Sequence, residues 1–338
     1  MKNIKLVVKR LGLLLFVLLG VTLVTFLVSH VVPGDPARML IGQRADEQTL
    51  ANMRHAMGLD KPVVIQYINY LWGLLHGDMG VSIRTQRPVL SELMAYFPAT
   101  FELTVFAMGF AVLLGIPLGV LSAAYRDTPV DHGTRVLAIL GVSTPLFWLG
   151  LMVLLIFYRN LGWLPGSGRI DYLINPPTHI TGLYVLDSLL TGDWIALKSS
   201  VLHLVLPVIC LGYIQLATIA RLVRASMIEV LDLDYIRTAL SNGIPRRRVI
   251  YRHALRNALI PTITVIGLTF GELMGGAVIT ETIFAWPGMG KYVVDSIFFL
   301  DFPAIMGFTI LVAVIYVLVN TVVDLLYPLL DPQIREVN

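Results

Sequence analysis

Six long apolar runs, each bounded by charge, proline or glycine, dominate the pattern of hydrophobic and polar positions along the chain. The first four contain no Asp, Glu, Lys or Arg: Leu11–Val32, Leu103–Ala124, Val136–Tyr158 and Val201–Ala220. Ala258–Thr280 contains one such residue, Glu272, and Pro303–Val323 is again uncharged. A bilayer core about 30 Å thick requires about 20 apolar residues per spanning helix. The pattern therefore predicts an all-α membrane protein with six transmembrane helices.

The composition agrees with this prediction, because 56% of the 338 residues are hydrophobic and 14% are charged, against about a quarter charged in soluble domains. Four basic residues precede the first run, as they do in a signal peptide. That run exceeds the signal core of about 7 to 15 residues and lacks a small-x-small cleavage site, so we expect it to stay as a span. Cys210 is the only cysteine, which excludes a disulfide framework and a thiol metal cluster.

The distribution of Lys and Arg predicts the orientation, since short basic loops stay in the cytoplasm. Four basic residues precede the first run and eight lie in Arg221–Asn257, whereas Arg159–Ser200 has three and Ile283–Phe302 has one. Both termini are therefore expected to be cytoplasmic. The expected parts are residues 1–32 with the first span, a periplasmic loop at 33–100, and a core permease domain at 101–338 with a cytoplasmic loop at 221–257.

The outer loops contain few periodic segments. The first opens with a rigid turn at Pro33–Pro36, and Glu47–Met57 then predicts a short helix that ends at Gly58. Pro62 opens a second helix with one apolar face, formed by Val63, Tyr67, Tyr70, Leu71, Leu74 and Leu75. That face suits either the outer membrane surface or packing on the protein's own spans. The second outer loop, 159–200, shows no strong period and is long enough to cap a pathway.

Small residues mark places where helices are expected to touch. Gly267, Gly271 and Gly275 recur every fourth residue in the fifth run and form one smooth stripe. Gly115 and Gly119 repeat this spacing in the second run. The spans are therefore expected to pack as a bundle.

The longest cytoplasmic loop contains a short helix with clear ends. Asp234 is a good N-cap, Tyr235–Asn242 allows two helical turns, and Gly243 suits the left-handed position after the helix. Pro245 prevents continuation, and the basic segment Arg246–Arg256 leads into the fifth run. A helix held between two spans can act as a lever if a cytoplasmic partner grips it. The alternative is a basic loop that rests on anionic lipid.

Asp234-Tyr235-Ile236-Arg237-Thr238-Ala239, Gly243 and His253–Pro261 resemble the ATPase-docking loop of permeases in the dipeptide, oligopeptide and nickel family of ATP-binding-cassette (ABC) importers. In importer permeases generally this loop begins Glu-Ala-Ala; here Arg237 and Thr238 replace the first two residues, and Ala239 matches. The resemblance extends over nearly the whole chain through an ordered set of motifs: Val32–Pro36, Gly58–Pro62, His76–Asp78, Gly115–Gly119, Leu164–Gly168, Thr280–Gly290 and Asp331–Arg335.

The resemblance implies a type I ABC importer permease fold in the bacterial inner membrane. It implies a second homologous permease, two cytoplasmic ABC ATPases that bind ATP and Mg, and an extracytoplasmic substrate-binding protein. The chain itself would be a non-catalytic subunit without cofactor, metal or nucleic acid. The expected substrates are dipeptides or oligopeptides, with nickel or a metal chelate as the alternative. The expected ATPase-coupling residues are Asp234, Tyr235, Ile236, Arg237, Thr238, Ala239, Leu240, Gly243, His253 and Arg256.

Three polar residues inside the runs are candidates for the translocation path. A carboxylate inside a span is costly and faces either a cavity or a partner, so Glu272 is expected either to contact a positive group of the substrate or to bond a neighbouring span. Gln215 and Asn320 either line the path or tie helices together. His30 and His203 lack a second metal ligand nearby in sequence, which favours structural roles.

One glycine-rich motif could be mistaken for an ATP-binding site, and one other function class competes with the permease. Gly288-Met289-Gly290-Lys291 lacks both the earlier Gly and the following Ser or Thr of a phosphate loop, which favours a tight turn. A channel or ion-coupled carrier that works without an ATPase is the alternative from another class. Flux through this chain alone would favour it.

Overall fold

The computed structural model describes residues 2–31, 37–38, 46–56 and 58–330, and its regular structure is helical throughout these ranges. The helices are α1 (Lys2–Val31), α2 (Glu47–Ala56), α3 (Val63–Leu75), α4 (Val89–Ala124), α5 (Pro129–Ser143), α6 (Leu146–Val153), α7 (Tyr184–Thr191), α8 (Trp194–Leu231), α9 (Asp234–Ser241), α10 (Leu255–Gly276), α11 (Val278–Ile283), α12 (Met289–Phe298) and α13 (Phe302–Leu330). A π-helical segment, Leu154–Asn160, continues α6. A second one, Val249–Ala254, follows a single α-helical turn at Arg246–Arg248 and leads into α10.

Four helical stretches in these ranges are long and apolar enough to cross a membrane: Val89–Ala124, Trp194–Leu231, Arg246–Gly275 and Phe302–Val323. They contain most or all of the second, fourth, fifth and sixth apolar runs. The first run forms α1, whose described apolar part, Leu14–His30, is shorter than these four. With the bent pair described next, the described residues hold up to five spans.

The third run, which was predicted to form a spanning helix, is not one straight helix. It is broken between α5 and α6, whose axes are bent by 104°. Thr144 has extended backbone angles (φ −84°, ψ 122°) and precedes Pro145, and proline disfavours helical backbone angles in the residue before it. Pro145 also lacks the N–H that would continue the helical ladder.

One compact unit comprises residues 1–97 together with 288–317. In this unit α3 packs on α1 through Tyr67, whose hydroxyl lies 3.1 Å from Thr22 Oγ1 and whose ring lies 5.2 Å from that of Phe26. The opposite face of α3, with Ile68 and Trp72, is exposed. The tyrosines of the predicted apolar face therefore pack on α1, whereas Val63 and Leu75 of the same face are exposed. The turn predicted at Pro33–Pro36 lies outside the described residues.

The second compact unit comprises residues 98–287 together with 318–338. Its core is built around α8, which packs on α4, α5 and α10. A Cβ atom at Gly119 would lie 2.7 Å from both the Ala220 carbonyl oxygen and Val223 Cβ, so α4 and α8 touch backbone to backbone. Gly267, one of the three glycines predicted to form a smooth stripe in the fifth run, lies directly against Val323. Small residues in these spans therefore set the close approach of helices.

Gly119→Ala is expected to destabilise the protein by about 1–3 kcal/mol, because the added methyl group meets backbone that cannot give way. Gly109→Ala in the same helix is the matched control, since nothing lies within 4 Å of its Cβ position. Thermal unfolding of the purified variants in detergent measures the difference. Equal unfolding temperatures for the two variants would show that α4 and α8 do not pack this closely.

Candidate coupling site

The short helix predicted in the 221–257 loop is present, but Asp234 does not cap it as predicted. Helix α9 begins at Asp234 itself, and Leu233 occupies the capping position with extended backbone angles (φ −74°, ψ 149°). The Asp234 carboxylate instead lies 3.3 Å from the Arg237 guanidinium one turn later. A carboxylate in the first turn still favours the helix by interacting with the helix dipole.

The other end of α9 confirms the left-handed position predicted for Gly243, whose φ is +78°. The Gly243 N–H donates to the Leu240 carbonyl at 3.0 Å, and the Ile244 N–H donates to the Ala239 carbonyl at 3.2 Å. This pair of bonds is a Schellman motif, which satisfies carbonyls that have no partner inside the helix. Helix α9 therefore has a fixed length and ends in a defined turn.

Helix α9 is fastened to the segment that follows it. Ile236 is 1% exposed and packs in the same core as Val249 and Ala254 of the second π-helical segment. The Tyr235 hydroxyl donates to the His253 carbonyl at 3.4 Å and accepts a hydrogen bond from Asn257 Nδ2 at 2.9 Å. These contacts join α9 to the beginning of α10, so the two must move together.

A third contact reaches another long apolar helix. The Arg246 guanidinium donates to the carbonyl of Ala124, the last residue of α4, at 2.9 Å. The segment after α9 is thus connected to α4 as well as to α10. A displacement of α9 can therefore be transmitted to both helices.

The outer face of α9 is free to meet a partner. The side chains of Asp234 and Arg237 are 95% and 71% exposed, and Leu233 and Leu240 are also exposed. Arg237 is paired with Asp234, so these two residues give this face no net charge that would attract anionic lipid. Of the other predicted coupling residues, Arg256 and Thr238 are exposed, and His253 is half-buried.

The side chains of the three candidates for the translocation path differ in how exposed they are. Glu272 is exposed and makes no hydrogen bond or ion pair within the described residues, so it does not bond a neighbouring span in this part of the chain. Gln215 is half-buried. Asn320 Oδ1 is buried without a partner among the described atoms. The structure therefore does not bring the three side chains into one hydrogen-bonded group within its described ranges.

The two histidines and the glycine-rich segment Gly288–Lys291 have structural roles. His30 Nδ1 and Nε2 lie 2.8 Å from the Phe26 carbonyl and 3.1 Å from Gln66 Oε1, and His203 Nδ1 lies 2.8 Å from the Ser199 carbonyl. The tight turn predicted at Gly288–Lys291 is instead the beginning of α12, because Gly288 occupies its capping position and the helix starts at Met289. Within α12, Lys291 pairs with Asp295 at 3.0 Å. The described part of the chain holds no group of three or more His, Cys, Asp or Glu placed to bind a metal.

A buried ion pair in the 159–200 loop was not predicted from the sequence. Arg169 donates to Glu102 Oε2 at 2.6 Å and to the Gly182 carbonyl at 2.9 Å, and both side chains of the pair are under 10% exposed. The Arg169 guanidinium stacks 3.7 Å over the ring of Tyr184. The loop showed no strong period in the sequence, but it contains α7. The Arg169–Glu102 ion pair holds it against α4.

Asp187 organises the same loop. Its carboxylate accepts hydrogen bonds from the backbone of Ile180, Thr181 and Gly182 and from the Thr181 hydroxyl, at 2.7 to 3.2 Å. Burial opposes ionisation, but these bonds together outweigh it and lower the pKa of Asp187 below its usual range. These hydrogen bonds thus hold the loop before α7 in a defined conformation.

Residues 115–336 match the family described as "Binding-protein-dependent transport system inner membrane component", and residues 3–104 match the model described as "Binding-prot-dependent transport system membrane comp, N-term". The chain belongs to this family. Members of it are inner membrane permeases, and the expectation of a multi-pass inner membrane permease is confirmed. The transport role is consistent with a non-catalytic subunit.

Named relatives resemble the chain over almost its full length. The "Probable D,D-dipeptide transport system permease protein DdpB" of Escherichia coli is 53% identical over 321 residues, covering 95% of this chain and 94% of the relative. The "Dipeptide transport system permease protein DppB" of Alkalihalophilus pseudofirmus is 46% identical, covering 97% and 98%. The expected resemblance to dipeptide-type ABC permeases is confirmed.

Among solved structures, a chain of the MetNI methionine ABC transporter in an inward-facing conformation aligns with a TM-score of 0.51 and 15% identity. The alignment covers 71% of this chain and 96% of that one. At this identity the likeness establishes the fold alone. This chain therefore has the fold of an ABC importer permease.

Proposed function

We propose that the chain is the transmembrane permease subunit of an ATP-driven importer that carries short peptides from a binding protein outside the membrane into the cytoplasm. The observation that carries the proposal is the similarity to two dipeptide permeases at 53% and 46% identity over nearly the full length of each chain. In the proposed topology six helices span the membrane and both termini are cytoplasmic. The proposed domains are those at residues 1–32, 33–100 and 101–338.

The proposed assembly contains a second homologous permease, two cytoplasmic ABC ATPases with ATP and Mg, and the binding protein. Closure of the ATPases would move α9, to which they bind. Tyr235 and Ile236 would pass that motion to α10, and Arg246 would pass it to α4. The support for this route is the set of contacts that fasten α9 to both helices.

The substrate class is tested with the complete complex in proteoliposomes. We expect uptake of a labelled dipeptide that requires ATP, both ATPases and the loaded binding protein. Uptake of nickel or a metal chelate with no uptake of any peptide would replace the peptide assignment with the metal alternative. Substrate flux through this chain alone would contradict an ATP-driven permease.

Glu272 is proposed to face the path and to meet the positive amine of a peptide. A charged hydrogen bond contributes about 1.5–3 kcal/mol, so Glu272→Gln is expected to raise the KM for peptide uptake about tenfold or more. Glu229→Gln is the matched control, because Glu229 is also exposed but lies beyond the apolar part of α8. Unchanged uptake of every tested substrate in Glu272→Gln would exclude the contact.

A further inference from the structure

A cavity of about 220 Å³ lies among α4, α5 and α8 in the second compact unit. Its walls are mainly apolar and include Leu118, Ala138 and Ile139, while Arg135, Arg221 and Arg224 supply its charge. None of these residues belongs to the proposed coupling site or path. The cavity is therefore a separate feature of the fold.

The three arginines differ in what they bind. Arg224 donates two hydrogen bonds to Asp131, at 2.7 and 2.8 Å, so its charge is neutralised within the protein. Arg135 and Arg221 have no carboxylate partner among the described residues. The cavity thus presents two uncompensated guanidinium groups beside apolar walls, a combination suited to a ligand with an anionic and an apolar part.

The two uncompensated arginines each stand next to the end of an uncharged run. Arg135 directly precedes the uncharged run Val136–Tyr158, and Arg221 directly follows the uncharged run Val201–Ala220. Both therefore stand where an apolar layer meets the headgroup layer. This inference rests on the proposed function, in whose topology both termini are cytoplasmic. In that topology the boundary is on the cytoplasmic side, where anionic lipid attracts basic groups.

The apolar side of the cavity continues onto a lipid-suited surface. Ile139 lines the cavity and is 60% exposed, and Val136 and Leu140 on α5 are 55% and 52% exposed. Acyl chains can cover this surface while the phosphate reaches the arginines. A soluble phosphate or an acidic protein surface would leave the apolar walls uncovered.

We infer that this cavity binds the headgroup phosphate of an anionic phospholipid, with Arg135 and Arg221 holding the phosphate oxygens and Leu118 and Ile139 contacting the lipid's apolar part. Guanidinium groups bind phosphate through paired hydrogen bonds, and such pairs are strong where water is partly excluded. A lipid bound between α4, α5 and α8 would fix the packing of these helices beside the loop that leads to α9.

The test is native mass spectrometry of the purified complete complex titrated with dioleoyl phosphatidylglycerol. Arg135→Gln and Arg221→Gln are each expected to weaken lipid binding about fivefold, the factor that corresponds to about 1 kcal/mol per basic residue. Ala225→Phe, which fills the cavity without a change of charge, is expected to weaken it as well. Arg126→Gln is the matched control, because it removes an exposed positive charge in the connection between α4 and α5 that is paired with the exposed Asp127.

Each other outcome overturns the proposal. Equal losses in Arg126→Gln and the two cavity variants would mean general attraction to surface charge. Equal binding of dioleoyl phosphatidylcholine, or displacement by millimolar glycerol 3-phosphate, would mean that the anionic lipid is not the specific ligand. Unchanged lipid binding with loss of the ATPases from the complex would assign the arginines to a protein contact.

Discussion

Gly243→Pro is expected to abolish substrate-stimulated ATP hydrolysis while the subunit remains in the membrane. Proline fixes φ near −65°, whereas Gly243 has φ +78° and donates its N–H to Leu240. The substitution therefore removes both bonds of the turn that ends α9. The helix would lose its fixed end and its orientation toward the ATPases, whereas the spans keep their own packing.

Gly243→Asn is the matched control for this variant. Asn tolerates the left-handed conformation and retains the N–H, and nothing lies within 4 Å of the Cβ position of Gly243. It should keep most of the stimulated rate. The measurement is ATP hydrolysis by the reconstituted complex with and without loaded binding protein, and normal stimulation in Gly243→Pro would refute a lever at α9.

Arg169→Met is expected to unfold the part of the second unit around α7, at a cost of about 3–5 kcal/mol, because it leaves the buried Glu102 carboxylate without its cation. It also removes the stacking on Tyr184 and the bond to the Gly182 carbonyl. We expect a lower thermal unfolding temperature and less folded protein in the membrane. Arg159→Met, an exposed arginine of the same loop, should change neither.

Adding Glu102→Gln to Arg169→Met is expected to restore part of the loss. The amide carries no charge, and its oxygen can still accept the Val185 N–H that now bonds Glu102 at 2.8 Å. A double variant as unstable as Arg169→Met, or a stable Arg169→Met, would show that the ion pair does not hold the loop. Fluorescence-detected gel filtration of heated membranes measures the parent protein and all three variants.

The sequence predicted features whose cause lies within a few residues of chain. Apolar runs longer than a bilayer core predict spans because the bilayer admits few alternatives, and Gly243 predicts the end of α9 because few residues adopt a left-handed backbone. Pro145 carried a weaker local signal for the break between α5 and α6, because Pro117 and Pro207 lie within the unbroken helices α4 and α8. The length of the uncharged run concealed it, since a broken span and a straight span have the same hydropathy.

Contacts between distant residues could not be predicted. Arg169 meets Glu102 across 67 residues, and Arg246 meets Ala124 across 122, so no periodicity connects them. The bonds that Tyr235 makes depend on the fold of the whole loop. Asp234 was wrongly taken for a cap because capping depends on backbone angles, and the residue with the required angles is its neighbour, Leu233.

In the proposed function, α9 is the part of this permease to which an ATPase binds. Cys210 is the chain's only cysteine and is buried, so Arg237→Cys introduces a unique accessible thiol for a benzophenone maleimide. Photolysis of the assembled complex should join the labelled position to the ATPase. Tyr172→Cys should give no such product, because this side chain is 91% exposed but lies in the 159–200 loop, on the outer side of the proposed topology. Efficient labelling of Arg237→Cys without any ATPase product, or equal products from both positions, would contradict a grip at α9.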